Sequence, residues 1–308
     1  MLHDLDWNRL APLALSRENF LLDEPAGLLQ ITKPVGAREH TLPLSLPDHA
    51  FFLSERALRM THALQVEGAR FQLDERRRLV AEIDGLRFYI EGAEDLFIVH
   101  EIFAQKVYRI QVSRPAVVWD IGMNIGLASL FLASSPSVVA VHAFEPFQRT
   151  FQQAQANLRL NPGVAAKIQA HNVGVAAADR SATALYNYEH KGSSGTHSQL
   201  ARVAVNGQTE EVVLRNAGDV LDEITAAHPG VDVVAKIDCE GAEYEIFELL
   251  ASSGRLGRLR AVMMEWHDHG PEALTGALLA SGFTVFSLND PVQLPGSDVN
   301  GMIYAVRA

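Results

Sequence analysis

Four short polar clusters, each following an apolar run, hold the residue types in this chain best suited to chemistry. They are Asp120-Ile121-Gly122-Met123-Asn124-Ile125-Gly126, Glu145-Pro146, Asp238-Cys239-Glu240-Gly241-Ala242-Glu243 and Glu265-Trp266-His267-Asp268-His269. Glycines at 122 and 126 let the backbone turn tightly and approach a ligand with no Cβ in the way. A helix beginning there offers unpaired N–H groups to a carboxylate or phosphate. Such a turn alone serves NAD, FAD, another nucleotide or no ligand. Glu145 narrows the choice, because it stands 19 residues after Gly126, where a carboxylate can accept both hydroxyls of a ribose. An adenosine-type ligand fits both features. A dinucleotide turn would read G-x-G-x-x-G, and Asn124 occupies the second glycine position, which disfavours NAD.

The third and fourth clusters supply acid, base or metal-binding groups. Lys236, Asp238 and Glu240 alternate on one strand face, Glu243 follows at a helix start that favours anions, and Glu265 and His267 are again two apart. Three readings are open. A general base, His267 or Glu240, removes an acceptor proton, and this is the favoured one. A divalent metal held by Asp238, Glu240, Glu265 or His267 is the second, and it is not favoured. In the third, Lys236 pairs with a carboxylate, Glu243 caps its helix, His267 is a hydrogen-bonded loop residue, and only Asp238 touches a ligand.

These clusters need a scaffold that brings them together. From Ala116 the pattern is strand, turn, helix, repeated: strands at 117–121, 138–144, 166–175, 231–237, 261–266, 283–288 and 302–306, with helices at 127–133, 147–158, 217–227, 243–251 and 271–280. Strands apolar on both faces and alternating with amphipathic helices imply a mostly parallel sheet covered on each side, with ligands beyond the carboxyl ends of the strands. The stretch 179–215 interrupts the rhythm with short β-rich pieces, among them 202–205, around a Gly/Ser loop at 191–198. That loop reads equally as a lid or as plain surface. Before residue 95 the pattern is weaker. Prolines at 12, 25, 34, 43 and 47 punctuate short apolar pieces, 50–66 is a poorly patterned helix, and only the pair 78–83 and 86–90 stands out, joined at Asp84-Gly85 as a two-residue hairpin. A helix at 94–107 follows.

The chain has 308 residues, 48% of them hydrophobic and 20% charged, which is an ordinary globular composition able to bury a core. A net charge of −11 gives no general attraction to phosphate backbones or anionic lipid, so neither nucleic acid nor membrane is an expected partner. No apolar run approaches the ~20 residues of a membrane helix and no basic-then-apolar leader opens the sequence, so a soluble cytoplasmic protein is expected. Cys239, the single cysteine, has no internal disulfide partner and reads as a small buried thiol. Arg76, Arg77 and Arg78 read as a solvated edge.

The runs Val118 to Gly126, Ala143 to Pro146 and Lys236 to Glu243 together resemble the FkbM family of S-adenosylmethionine-dependent methyltransferases, over roughly residues 95 to 290. The resemblance implies the α/β class I methyltransferase fold: a Rossmann-like seven-stranded sheet in order 3-2-1-4-5-7-6 with its last strand antiparallel. It divides the chain into an N-terminal α+β extension at 1–94, serving as substrate pocket, lid or homodimer contact, and a cofactor-binding domain at 95–308. It implies that Asp120, Gly122, Asn124, Gly126 and Asp238 cradle S-adenosylmethionine, that Glu145 holds its ribose, and that Asn172 and Val173 line an adenine pocket. Asp238, Glu240, Glu265 and His267 would then act on a small-molecule acceptor, with a hydroxyl favoured. The alternatives are transfer to nitrogen on a peptide or amine, and a binding protein that has lost transfer.

Overall fold

The computed structural model describes residues 5–188, 208–267, 269–289 and 300–307. The expected loop at 191–198 and strand at 202–205 therefore lie outside the described residues. The chain divides into two compact units, Met1–Arg109 with Ala156–Asn161, and Ile110–Gln155 with Pro162–Ala308.

The first unit opens with a short helix α1 (Trp7–Leu10) and an antiparallel meander of β1 (Phe20–Asp23), β2 (Leu28–Val35) and β3 (Arg38–Ser45). The sequence pattern did not reveal this meander. Pro34 lies beyond the stretch of β2 that pairs with β1, and Pro43 lies on the sheet-edge strand β3, the position in which a strand tolerates proline. Helix α2 (Glu55–Val66) follows, its N-cap Ser54 accepting from Ala57 N at 3.2 Å, and it buries Leu58 and Leu64. A second meander holds β4 (Arg70–Leu73), β5 (Leu79–Ile83) and β6 (Leu86–Tyr89). The hairpin is where its turn residues place it, with Asp84 and Gly85 both at positive φ and Ile83 paired to Leu86. Helix α3 (Ala93–Val99) runs into a π-helical turn, His100–Gln105. This helical stretch clusters with the first unit, whose division from the second falls at Arg109/Ile110. Residues 156–161 cluster there because Asn157 Oδ1 and Asn161 Oδ1 accept from the backbone N–H of Tyr89 and Arg87 on β6, at 2.9 and 2.8 Å.

The second unit alternates β7 (Ala116–Ile121), α4 (Leu127–Ala133), β8 (Val138–Phe144), the part of α5 (Gln148–Leu160) that precedes Ala156, α6 (Pro162–Ala165) and β9 (Ile168–His171). β10 (Gly174–Ala176), β11 (Arg180–Tyr186) and β12 (Gln208–Asn216) leave the alternation and form their own small sheet, so the single strand expected at 166–175 is two strands in different sheets, broken at Asn172-Val173. Alternation resumes with α7 (Ala217–Ala227), β13 (Asp232–Ile237), α8 (Glu243–Ser252), β14 (Leu259–His267), α9 (Glu272–Ala280), β15 (Thr284–Asn289) and β16 (Asn300–Val306). The main sheet runs β15-β16-β14-β13-β7-β8-β9; β16 is antiparallel to both neighbours and the remaining pairs are parallel. All six residues of β7 are buried, as befits a central strand covered on both faces. Trp119, Ile237, Met264, Phe247 and Leu221 belong to the core that supports the strand ends. Among the described residues no helix is long and apolar enough to cross a membrane.

Candidate functional site

Parallel pairing of β8, β7, β13 and β14 brings the four polar clusters to one edge of the sheet. The turn after β7 is the closest approach. Gly122 has φ +82°, and a Cβ there would lie 1.7 Å from the carbonyl oxygen of Asp238, so only glycine lets the β7 and β13 exits touch. Asn124 and Gly126 also have positive φ, at +50° and +84°. The turn does not offer the row of free N–H groups its glycines suggest. Gly122 and Met123 donate to Phe144 O at 3.1 and 2.9 Å, Gly126 donates to Met123 O at 3.0 Å, and Ile125 N bonds to Asn124 Oδ1 at 2.8 Å. Asn124 N donates to Glu145 Oε2 at 2.9 Å.

Glu145 follows β8 almost fully buried, its second oxygen accepting from Phe147 N at 3.0 Å. Burial pushes its carboxyl up to about 7 against the pull of the Phe147 and Asn124 amides. Each oxygen keeps a lone pair for a further donor. Asn172 supports this turn, its Nδ2 donating to Glu145 O at 2.9 Å and Pro146 O at 3.1 Å. Val173 packs against the sheet core.

Asp120 is fully enclosed, hydrogen-bonded by Ser129 Oγ and 3.3 Å from Lys236 Nζ. With no exposed side-chain surface it supports the turn from beneath. Burial raises its carboxyl and the Lys236 ammonium draws it back; burial would lower Lys236, but Asp120 and Asp238 hold it above its ordinary value. Lys236 also donates to Gly122 O and lies 3.6 Å from Asp238 Oδ2. One ammonium thus ties the exits of β7 and β13 together.

The ends of β13 and β14 meet around His267, whose residue is 4% exposed. Its Nδ1 lies 3.1 Å from Glu243 Oε1, the same oxygen accepts its backbone N–H at 2.7 Å, and Glu243 Oε2 accepts from Gly241 N at 2.9 Å. Nε2 faces Glu240 Oε2 at 3.6 Å and Glu265 Oε1 at 3.9 Å. Asn300 Nδ2 donates to the same Glu265 oxygen at 2.8 Å, and Tyr244 OH donates to His267 O at 2.7 Å. Burial would lower His267, but Glu240, Glu243 and Glu265 hold it well above its ordinary value. Burial raises Glu240 well above the carboxylate range and Glu265 to about 7, with Asp238 raising both further. Glu240 has φ +53°, a left-handed backbone that a non-glycine residue adopts only when its surroundings impose it. Cys239 is half-buried and its thiol, 3.5 Å from Glu243 Oε2, is raised well above its ordinary value by burial, which disfavours the thiolate.

All four expected catalytic residues therefore converge on one spot. The partner that sequence reasoning left as a helix cap is Glu243, and no spacing rule gives its contact with a residue 24 positions away. Ser129 was legible in principle, because a hydroxyl inside the apolar run 127–133 needs a buried partner.

Residues 120–281 match the Methyltransferase FkbM domain family. Over 229 residues the chain is 28% identical to the 31-O-demethyl-FK506 methyltransferase FkbM of Streptomyces tacrolimicus, covering 66% of this chain and 87% of that protein. It is 26% identical over 198 residues to the hexuronic acid methyltransferase AglP of Haloferax volcanii, covering 62% and 75%. A 29% match over 255 residues to the AMB antimetabolite synthetase AmbE of Pseudomonas aeruginosa takes in 70% of this chain but only 12% of that far longer protein. Among solved structures, the methyltransferase FkbM of Methylobacillus flagellatus aligns at 15% identity and a TM-score of 0.40, over 64% of this chain and 44% of that one.

Proposed function

The chain belongs to the FkbM family of methyltransferases, and from that membership we propose that it moves the sulfonium methyl of S-adenosylmethionine to a hydroxyl oxygen of a small-molecule acceptor. The donor set suits that cofactor. A sulfonium, an ammonium and two ribose hydroxyls need acceptors, and the strand edge is rich in carboxylate and carbonyl oxygen while its loop amides are already bonded. Glu145 would receive the ribose hydroxyls on the lone pairs left by Asn124 and Phe147. Asp238, next to the glycine turn and half-exposed, would face the methionine end.

The cofactor supplies an activated methyl whose positive charge disperses as the new bond forms. The protein's task is therefore positioning, with the acceptor oxygen held in line and its proton removed or its charge stabilised. Asp238, Glu240, Glu265 and His267 would receive that hydroxyl. A hydroxyl acceptor is favoured because nothing so elaborate is needed to free the lone pair of a neutral amine.

The buried Glu145 beside the glycine turn carries this reading. Calorimetric titration should show binding of S-adenosylmethionine and S-adenosylhomocysteine and none of NAD. Glu145→Ala should weaken both affinities about 10- to 100-fold, the loss of one or two hydrogen bonds to a charged group. Tight NAD binding with no response to the other two ligands would overturn the assignment.

A further inference from the structure

Asp238, Glu240 and His267 each place one ligating atom within 4.8 Å of the other two. The imidazole is what gives this cluster direction. Glu243, with no exposed side-chain surface, faces Nδ1 at 3.1 Å and so orients the ring, turning Nε2 toward the carboxylates of Glu240 and Glu265. The side chain of His267 is 6% exposed, yet the carboxylate oxygens in front of Nε2 stand at 3.6 and 3.9 Å, too far for hydrogen bonds. A buried ring nitrogen is thus aimed, without a hydrogen bond, into a group of carboxylates.

A general base needs only His267 and the carboxylate that orients it. It leaves unexplained why Asp238 and Glu240 converge on the same nitrogen. Lys236 is shared among Asp120, the carbonyl of Gly122 and Asp238, while His267 faces Glu240 at 3.6 Å and Glu265 at 3.9 Å. One imidazole facing several carboxylates leaves negative charge that a dication would balance, and carboxylate–histidine pairs of the Glu243–His267 kind orient metal-bound imidazoles in general.

We propose that Asp238, Glu240 and His267 form a site for a hard divalent cation of the manganese(II) or magnesium(II) class, with Glu243 as its positioning residue. Two carboxylates and one imidazole leave coordination positions open, and the acceptor hydroxyl would take one. This assignment rests on the methyl-transfer reading for its use. The bound hydroxyl releases its proton to water. Its oxygen then forms the O–C bond as the C–S bond breaks, the electron pair returns to sulfur, and S-adenosylhomocysteine leaves with no change of redox state.

Manganese(II) added to the chelator-treated full chain, followed by electron paramagnetic resonance of the free ion, should be taken up at one equivalent. Glu240→Gln, whose carboxylate carries no protein hydrogen bond among the described residues, and His267→Gln should each weaken uptake at least tenfold. Glu243→Gln keeps every ligand and should still loosen the ion about tenfold while S-adenosylmethionine affinity stays unchanged. Uptake unaltered by Glu240→Gln, or no uptake by a protein that binds S-adenosylmethionine normally, overturns the metal site and leaves the methyl-transfer reading standing. Uptake by a protein that binds no S-adenosylmethionine overturns that reading and leaves the metal site.

Discussion

Lys236 is the side chain on which the site's geometry depends most. It is 2% exposed, pairs with the fully buried Asp120 at 3.3 Å, and donates to the carbonyl of Gly122. Removing one member of such a pair leaves an uncompensated buried charge, whereas replacing both with apolar groups of similar volume is far milder. Lys236→Met should therefore lower unfolding free energy by about 3–5 kcal/mol in urea titration. Adding Asp120→Leu to it should recover more than half of that loss. If the double variant is no more stable than the single one, the pair does not carry the stability assigned to it.

The next scale is that of strand ends. The exits of β7 and β13 touch at Gly122, and Asp238 N donates to Ile121 O at 3.0 Å across the same gap. Gly122→Ala should push these exits apart, lowering stability by about 2–4 kcal/mol through overpacking and left-handed strain. It should also weaken S-adenosylmethionine binding at least tenfold in calorimetry. Gly163→Ala, where a Cβ meets nothing within 4 Å, is the control and should change neither. Strand ends of this kind were legible because β7, β8, β13 and β14 are largely apolar runs, each leading into one of the four polar clusters. Turn chemistry made Asp84-Gly85 legible as well. The β1–β3 meander was not, since prolines in edge positions look like strand breakers until the partner strand is known. Nor was the break between β9 and β10, where the side chain of Asn172 turns away to hold the backbone of Glu145 and Pro146. Within the site, residue types and their strand-end positions could be read directly. The Glu243–His267 and Asn300–Glu265 contacts could not, because each depends on tertiary register between elements far apart in the chain.

At the scale of the whole molecule, buried titratable groups on neighbouring strand positions set opposing pH dependences. Glu145 is raised from 4.5 to about 7, chiefly by burial, so its folded form holds a proton more tightly than the unfolded chain does. The stability this confers is present below pH 4.5 and is lost as pH rises to about 7. His142 behaves in the opposite sense. Its Nε2 lies 2.9 Å from His228 Nε2 and its ring stacks over His171, and burial followed by these two neighbours lowers it from 6.5 to about 4. Its contribution is present above pH 6.5 and is lost as pH falls toward 4. The two windows overlap between 4.5 and 6.5, where they offset one another. Glu145→Gln removes one slope and should leave a protein whose stability, relative to the parent, rises with pH by about 2 kcal/mol between pH 4.5 and 7. His142→Gln should shift by a similar amount in the reverse direction, and other buried carboxylates cancel in both differences. Urea midpoints at four pH values across this range measure both, and parallel profiles for the parent and the two variants would show that neither group is perturbed as its burial requires.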